Sequence, residues 1–147
     1  MHISVASAAL LDDILAIENE AFTCPWSRKS FEEAFSSDHI MVYAAFTDDG
    51  ILCGFSCLLV IAEDAELLNI AVASAFRRQG IADHLMERML ADAASQNAEQ
   101  IYLEVRSSNL TAQNLYSKHG FEKLGIRRRY YANPVEDAII MRRMIHS

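Results

Sequence analysis

The chain has 147 residues, of which 52% are hydrophobic and 22% charged, enough apolar content for one packed domain over 1–147 and too much for a disordered chain. Its net charge of −7 speaks against direct binding of nucleic acid, whose proteins gain affinity by neutralising phosphates, and favours a basic or cationic partner. No apolar run reaches the ~20 residues that cross a bilayer, and the start Met1-His2-Ile3-Ser4-Val5 lacks the regions of a signal peptide, so no membrane partner and a cytoplasmic location are expected.

Ile3 to Val5 reads as a short first strand. Ala9 to Phe22 carries Leu10, Ile14, Ile17 and Ala21 at amphipathic-helix spacing, and after Pro25-Trp26 the hydroxyl of Ser27 is placed to cap a second helix through Phe35. Ile40 to Phe46 and Ile51 to Ile61 read as strands joined by the hairpin signal Asp48-Asp49-Gly50. A turn at Glu63-Asp64 leads to a strand from Leu67 to Val72. The apolar period then changes: Ile81, Leu85, Met86, Met89, Leu90 and Ala93 form one helical face. Ile101 to Val105 is a buried strand and Thr111 to His119 a short helix; Gly120-Phe121 turns into another strand, and Ala138 to Ile145 is the last. An antiparallel meander joined to a β-α-β unit predicts an α/β fold, a mixed sheet with helices on both faces.

Cys24, Cys53 and Cys57 make an odd count without an export signal, which argues against a disulfide framework. Cys53 and Cys57 lie four apart in an apolar run and are expected in the core, on one face of a strand. His2, His39, His84, His119 and His146 are scattered and no C-x-x-C occurs, so no metal site is expected.

The stretch richest in chemistry runs from Leu67-Leu68-Asn69-Ile70-Ala71-Val72 through Arg77-Arg78-Gln79-Gly80-Ile81-Ala82 into a helix. Exposed N–H groups and the helix dipole suit a phosphate there, and Gly80 and Ala82 keep the approach open. The same residues also fit an ordinary strand–helix connection with two solvated arginines. Glu104 stands on the core strand Leu103-Glu104-Val105, where an unpaired carboxylate is costly; an ion pair with Arg106, two residues on and on the same face, is the structural alternative. Tyr116, on the short helix after Asn109, reads equally as a core tyrosine.

Arg77-x-x-Gly80-x-Ala82 resembles the Q/R-x-x-G-x-G/A signature of the GNAT superfamily of N-acetyltransferases. The likeness extends to Asn69-Ile70-Ala71-Val72, Leu103-Glu104-Val105-Arg106, Asn109, Leu115-Tyr116, Gly120-Phe121, Arg127-Arg128-Arg129-Tyr130-Tyr131, Glu136-Asp137-Ala138 and Pro25-Trp26. The set is similar to that of the RimI-type ribosomal protein alanine N-acetyltransferases. The resemblance implies a GNAT fold, an αβα-layered domain with a splayed mixed sheet, and acetyl-CoA as co-substrate with no metal. It implies that the pantetheine arm pairs with Ile70, Ala71 and Val72 like an added strand. The pyrophosphate would rest on Arg77, Arg78, Gln79, Gly80, Ile81 and Ala82, and Asn109 would also touch the coenzyme. Glu104 matches the general base, acting through water, and Tyr116 the general acid.

The implied reaction carries acetyl to the N-terminal alanine of a small-subunit ribosomal protein by direct attack in a ternary complex. An α-amine, with a pKa of about 8, is easier to deprotonate than a lysine at about 10.4 by roughly 3.4 kcal/mol, so a weak base serves it more readily. Other protein N-termini, a lysine, a small amine and a CoA-binding module without turnover remain alternatives. Trp26, Tyr130 and Tyr131 read either as groove lining or as packing, and Arg127-Arg128-Arg129 as pairing with local acids. Glu63, Asp64 and Glu66, at a predicted turn, are expected to attract a basic substrate N-terminus.

Overall fold

The structure, a computed structural model, describes residues 1–145; His146 lies outside the described residues. Seven strands and four α-helices follow one another as β1 (His2–Val5), α1 (Leu11–Ala21), α2 (Arg28–Ser36), β2 (Ile40–Phe46), β3 (Leu52–Ile61), β4 (Asp64–Val72), α3 (Ile81–Ser95), β5 (Gln100–Arg106), α4 (Leu110–Lys118), β6 (Glu122–Tyr131) and β7 (Glu136–Met144). Short 3-10 turns at Ala8–Leu10 and Ser74–Phe76 precede α1 and α3. Ser27 caps α2 as expected, its hydroxyl accepting from the Ser30 amide at 3.1 Å.

The strands form one sheet in the order β1-β2-β3-β4-β5-β7-β6. Only β4 and β5 run parallel, and they pair only from Asp64↔Gln100 to Glu66↔Tyr102. Beyond Glu66 the sheet splays, and the β5-facing edge of β4 from Leu67 to Val72 has no strand partner among the described residues. Side chains alternate across the sheet into two cores. Ile81, Leu85, Met86, Met89 and Ala93 of α3 and Tyr116 of α4 pack on one face. Ile14 and Ile17 of α1 with Phe31 and Ala34 of α2 pack on the other. The mixed sheet with helices on both faces is what the residue pattern predicts, and its splay is what the resemblance implies.

Two bulges alter the face assignments. Ala45 pairs with Gly54 while Phe46 pairs with Leu52, which leaves Cys53 as an extra residue. Cys53 therefore packs in the core under α3 and Cys57 in the core under α1 and α2. Both are buried as expected, but on opposite faces, because an extra residue resets the two-residue period. In β4, Leu68 is the extra residue between Leu67↔Leu58 and Asn69↔Cys57. The strand also starts three residues earlier than expected: the turn falls on Ala62 and Glu63, and Asp64 and Glu66 are already paired in β4.

Gly54 sets how closely α3 lies on the sheet. A Cβ there would stand 3.0 Å from the Ala71 carbonyl oxygen, 3.2 Å from Ile81 Cγ2 and 3.4 Å from Leu85 Cδ1. Gly54→Ala should therefore push the start of α3 outward and lower stability by about 1–3 kcal/mol in urea unfolding. An unchanged midpoint would mean that the helix shifts at no cost.

Candidate active site

At the end of β4 the chain passes through the 3-10 turn and the exposed Arg77, Arg78 and Gln79 into α3. Glu20 accepts from the Ser74 amide at 2.7 Å; that bond, with the Arg77 charge adding to it, holds its carboxyl below the usual range and pins the turn to α1. Arg78 and Gly80 adopt left-handed backbone, with φ of 63° and 78°, so the bend turns back on itself as the helix opens. No side chain among the described residues caps α3. Its first intrahelical bond runs from the His84 amide to the Gly80 carbonyl at 3.1 Å, so the amides of Ile81, Ala82 and Asp83 have no acceptor in the helix. Asp83, which would repel an anion here, is bound by His119 Nε2 at 2.7 Å and Lys118 Nζ at 3.1 Å; His119 first and Lys118 second hold its carboxyl low. The start of α3 thus offers unspent N–H groups with the local negative charge already countered.

The strand residues expected to bind the coenzyme spend their side chains on the cores. Ala71 packs under α1 and α2, and Ile70 and Val72 pack under α3. Only their backbone groups face the open edge of β4. Ile81 is likewise core, 4% exposed, and contributes its amide alone. Asn109 caps α4, its side-chain oxygen accepting from the Ala112 amide at 3.1 Å.

Where β4 and β5 part, a cavity of about 450 Å³ is lined by Asp64, Glu66, Glu104 and Arg127, with Leu59 and Ile140 among its apolar walls. From Glu66 in this cavity, β4 runs roughly 20 Å to its end at Val72. Glu104 is not paired with Arg106, the ion pair considered from the sequence. Arg106 reaches instead for Glu136 at 3.2 Å and for the carbonyls of Ala132 and Pro134 at 3.1 Å, and lies over the Tyr131 ring at 4.4 Å. The cation beside Glu104 is Arg127, on the edge strand β6, with Nε 3.9 Å from Oε1. Glu104 Oε2 is buried and has no hydrogen-bond donor among the described residues. Both arginines pair with Ala138 and share that face with Glu104; Arg106 is drawn off by Glu136 and the two carbonyls, which leaves Arg127 as the neighbouring cation.

Tyr116 is 6% exposed beside Phe121, at 6.0 Å between ring centroids. Burial, with Tyr131 adding, pushes its phenol well above the usual range, so it stays protonated. Tyr131 connects the two expected catalytic residues: burial first and the Glu104 charge second push it up to about 12, and it in turn raises Tyr116. Glu104, Tyr131 and Tyr116 therefore lie within electrostatic reach of one another.

Glu63 is exposed and lines no part of the cavity, whereas Asp64 and Glu66 do. Trp26 packs on Phe31 at 5.1 Å, and Cys24 Sγ approaches the Ala132 carbonyl at 3.5 Å, so the α1–α2 connection touches the β6–β7 turn. Glu18, which drew no attention in the sequence, is 1% exposed and accepts from the Trp26 amide at 2.8 Å and from Asn69 Nδ2 at 2.7 Å. It fastens that connection to β4 one residue before Ile70. Its only sequence signal is a carboxylate on the apolar side of α1. No group of three or more metal-ligating side chains occurs among the described residues, and no helix is long and apolar enough to cross a membrane.

This arrangement, a splayed sheet with a bare helix start at one end of the open edge and a carboxylate at the other, has counterparts among known proteins. The model of the acetyltransferase (GNAT) family matches residues 11–121. The ribosomal protein bS18-alanine N-acetyltransferase of Salmonella typhimurium is 36% identical over 141 residues, 95% of this chain and 94% of that protein. The crystal structure of the ribosomal-protein-S18-alanine N-acetyltransferase from Escherichia coli superposes with a TM-score of 0.92 at 33% identity, over 99% of this chain and 94% of that one. Ard1 from Thermoplasma volcanium superposes at 0.88 with 26% identity, over 99% and 98%. The chain belongs to the GNAT family. It is an acetyltransferase, of a family whose acetyl donor is acetyl-CoA.

The β6–β7 turn carries its own pH dependence. Glu136 is pushed down to about 2, by its bonds to Ser108 first, then Ser107 and Arg106. A carboxyl lowered on folding binds fewer protons in the native state, so its stabilisation is complete above the unfolded value of about 4.3 and is lost as pH falls through about 2. Glu136→Gln should be less stable than wild type at pH 7, and urea unfolding should find the gap closing between about pH 4.3 and 2. A constant gap over that range would exclude this role.

Proposed function

We propose that the chain transfers acetyl from acetyl-CoA to the α-amine of a protein N-terminus, with the N-terminal alanine of a small-subunit ribosomal protein as its acceptor. The observation that carries the reading is the fork between β4 and β5: it leaves Leu67–Val72 open along the edge that ends at the bare start of α3, and puts Glu104 in the cavity where the edge begins. The named substrates of the Salmonella and Escherichia coli relatives support the choice of acceptor. Work on a ribosomal protein places the reaction in the cytoplasm.

In this reading the backbone of Ile70, Ala71 and Val72 pairs with the pantetheine arm as an added strand would. Arg77, Arg78, Gln79, Gly80, Ile81 and Ala82 receive the pyrophosphate, the two arginines by charge and the others by amide and open space. Asn109, whose oxygen is committed to its cap, meets the coenzyme through its amide nitrogen. The acceptor enters as an ammonium and loses a proton to Glu104, through water. Its nitrogen bonds to the thioester carbon, the carbon–sulfur bond breaks, and the departing thiolate takes the Tyr116 proton. The acylated nitrogen sheds its second proton to solvent, which also accepts the proton from Glu104 and returns one to Tyr116, so one proton is released per turnover. A phenol kept neutral by burial suits the acid's part.

Tyr116→Phe should lower kcat by about 10²–10⁴ while acetyl-CoA still binds, and Glu104→Gln should lose activity most at low pH, where removing the ammonium proton is hardest. Thiol release measured with Ala-starting, other-starting and N-blocked peptides tests the acceptor. A rate indifferent to blocking the N-terminus would overturn the assignment.

A further inference from the structure

The fork holds more negative charge than a single base requires. Glu66 pairs directly with Tyr102, and Glu104 follows Tyr102 by two residues, so both carboxylates stand on one face of neighbouring strands and line one cavity. Asp64 lines the same cavity, and Arg127 is its one cationic lining residue. That cation is loosely held: its side chain is 58% exposed, it stays 3.9 Å from Glu104 and it lies over Tyr130 at 5.6 Å. Meanwhile the inner oxygen of Glu104, Oε2, is buried without a donor. A buried acceptor left bare is costly, and in a substrate cavity a donor that arrives with the substrate, directly or through an ordered water, relieves that cost.

We propose that Glu66 is an acceptor-binding residue that holds the incoming ammonium jointly with Glu104, displacing Arg127, with the water between ammonium and Glu104 serving as the donor that Oε2 lacks. This rests on the assignment of Glu104 to the acceptor site and specifies what that site recognises: a free ammonium, in preference to any neutral end of the same length. Burial and then the charge of Glu104 raise the affinity of Glu66 for a proton, while Arg127 lowers it, so the pair is short of positive charge until an ammonium arrives. Arg127 acts as a stand-in cation, present when the cavity is empty and displaced by a better-placed one. After transfer the acceptor is a neutral amide with no claim on two carboxylates. Arg127 then returns to Glu104, which favours product release. The apolar walls at Leu59 and Ile140 leave room for a small first side chain, and Asp64 favours a further positive charge along the peptide.

Calorimetry on the CoA-loaded protein tests this with an Ala-starting peptide and its desamino twin, which lacks only the ammonium. Wild type should prefer the amine by about tenfold or more, and Glu66→Gln should shrink the preference to about threefold or less without changing the affinity for acetyl-CoA. Glu66→Asp, which keeps the charge, should recover part of it. Arg127→Gln should tighten binding of the amine peptide, because the competing cation is gone; this arm stands alone if the Glu66 variants do not melt as folded proteins. An amine preference untouched in Glu66→Gln, or amine binding weakened in Arg127→Gln, overturns the proposal. The activity assay separates the two ideas. Amine binding that depends on Glu66 with no acetyl transfer sinks the enzymatic reading and sustains this one. Normal transfer with an unchanged KM in Glu66→Gln does the reverse.

Discussion

Parallel pairing between β4 and β5 begins at Asp64↔Gln100 and ends at Glu66↔Tyr102, and the site is arranged around the place where it ends. A parallel sheet that continued would satisfy the backbone of Leu67 to Val72 with β5 and bury Glu104 between strands. Because it parts, the N–H and C=O groups on that edge of β4 must find water or a ligand, and an extended polyamide such as pantetheine offers the right spacing. The extra residue at Leu68 falls within a step of the fork. A bulge bends and twists the strand that carries it, which makes resumed pairing with β5 geometrically hard. It also sends Asn69 and Ala71 toward α1 and α2 and leaves Ile70 and Val72 under α3. The open edge is thus anchored from both faces and is rigid without a partner strand.

The acidic balance of the chain is distributed with a pattern. Around the start of α3, the anion site of our proposal, Asp83 is held by Lys118 and His119, and Glu20 by the Ser74 amide. In the β6–β7 turn, Glu136 is held by Arg106, Ser107 and Ser108. Glu18 is fully buried, yet both its oxygens have donors. Glu104 differs, with a distant cation on one oxygen, the Tyr130 phenol nearby, and no donor among the described residues on the other. Negative charge is compensated at the proposed anion site and in the turn, and is left wanting where the proposal brings in a cation.

The sequence carries the local features of this fold well. The Ser27 cap, the Asp48-Asp49-Gly50 hairpin and the apolar face of α3 each depend on residues within a turn or two of one another, and each forms as expected. It fails where position depends on partners far along the chain. Cys53 and Cys57 separate to opposite faces because β2 and β3 slip by one residue, which no count along β3 alone foretells. Arg127 rather than Arg106 stands by Glu104 because Arg106 is bound by Glu136 and the carbonyls of Ala132 and Pro134, partners far along the chain that spacing on β5 does not reveal. Asp64 and Glu66 were expected in a turn because acidic residues crowd there. The left-handed backbone at Ala62 turns the chain sooner and gives both carboxylates to the strand and so to the cavity. Glu18 escapes notice for a related reason: its donors are a backbone amide eight residues on and a side chain 51 residues on.

The site's electrostatics also bear on which amine it serves. At pH 7 an α-ammonium lies about one pKa unit from its neutral form and a lysine about 3.4, so a lysine acceptor needs a base that takes over some 3.4 kcal/mol more of the deprotonation cost. Such a base calls for a strongly raised proton affinity or a dry pocket that destabilises the ammonium. The cavity is not a dry pocket of that kind. It is open to solvent through the exposed Arg127 side chain, and its carboxylates favour the charged form of whatever amine enters. Stabilising an ammonium is tolerable when its proton is weakly held and prohibitive when it is tightly held. A site that gathers carboxylates around its acceptor therefore suits a chain terminus better than a lysine side chain, and the same charge that recruits the terminus restricts the enzyme to it.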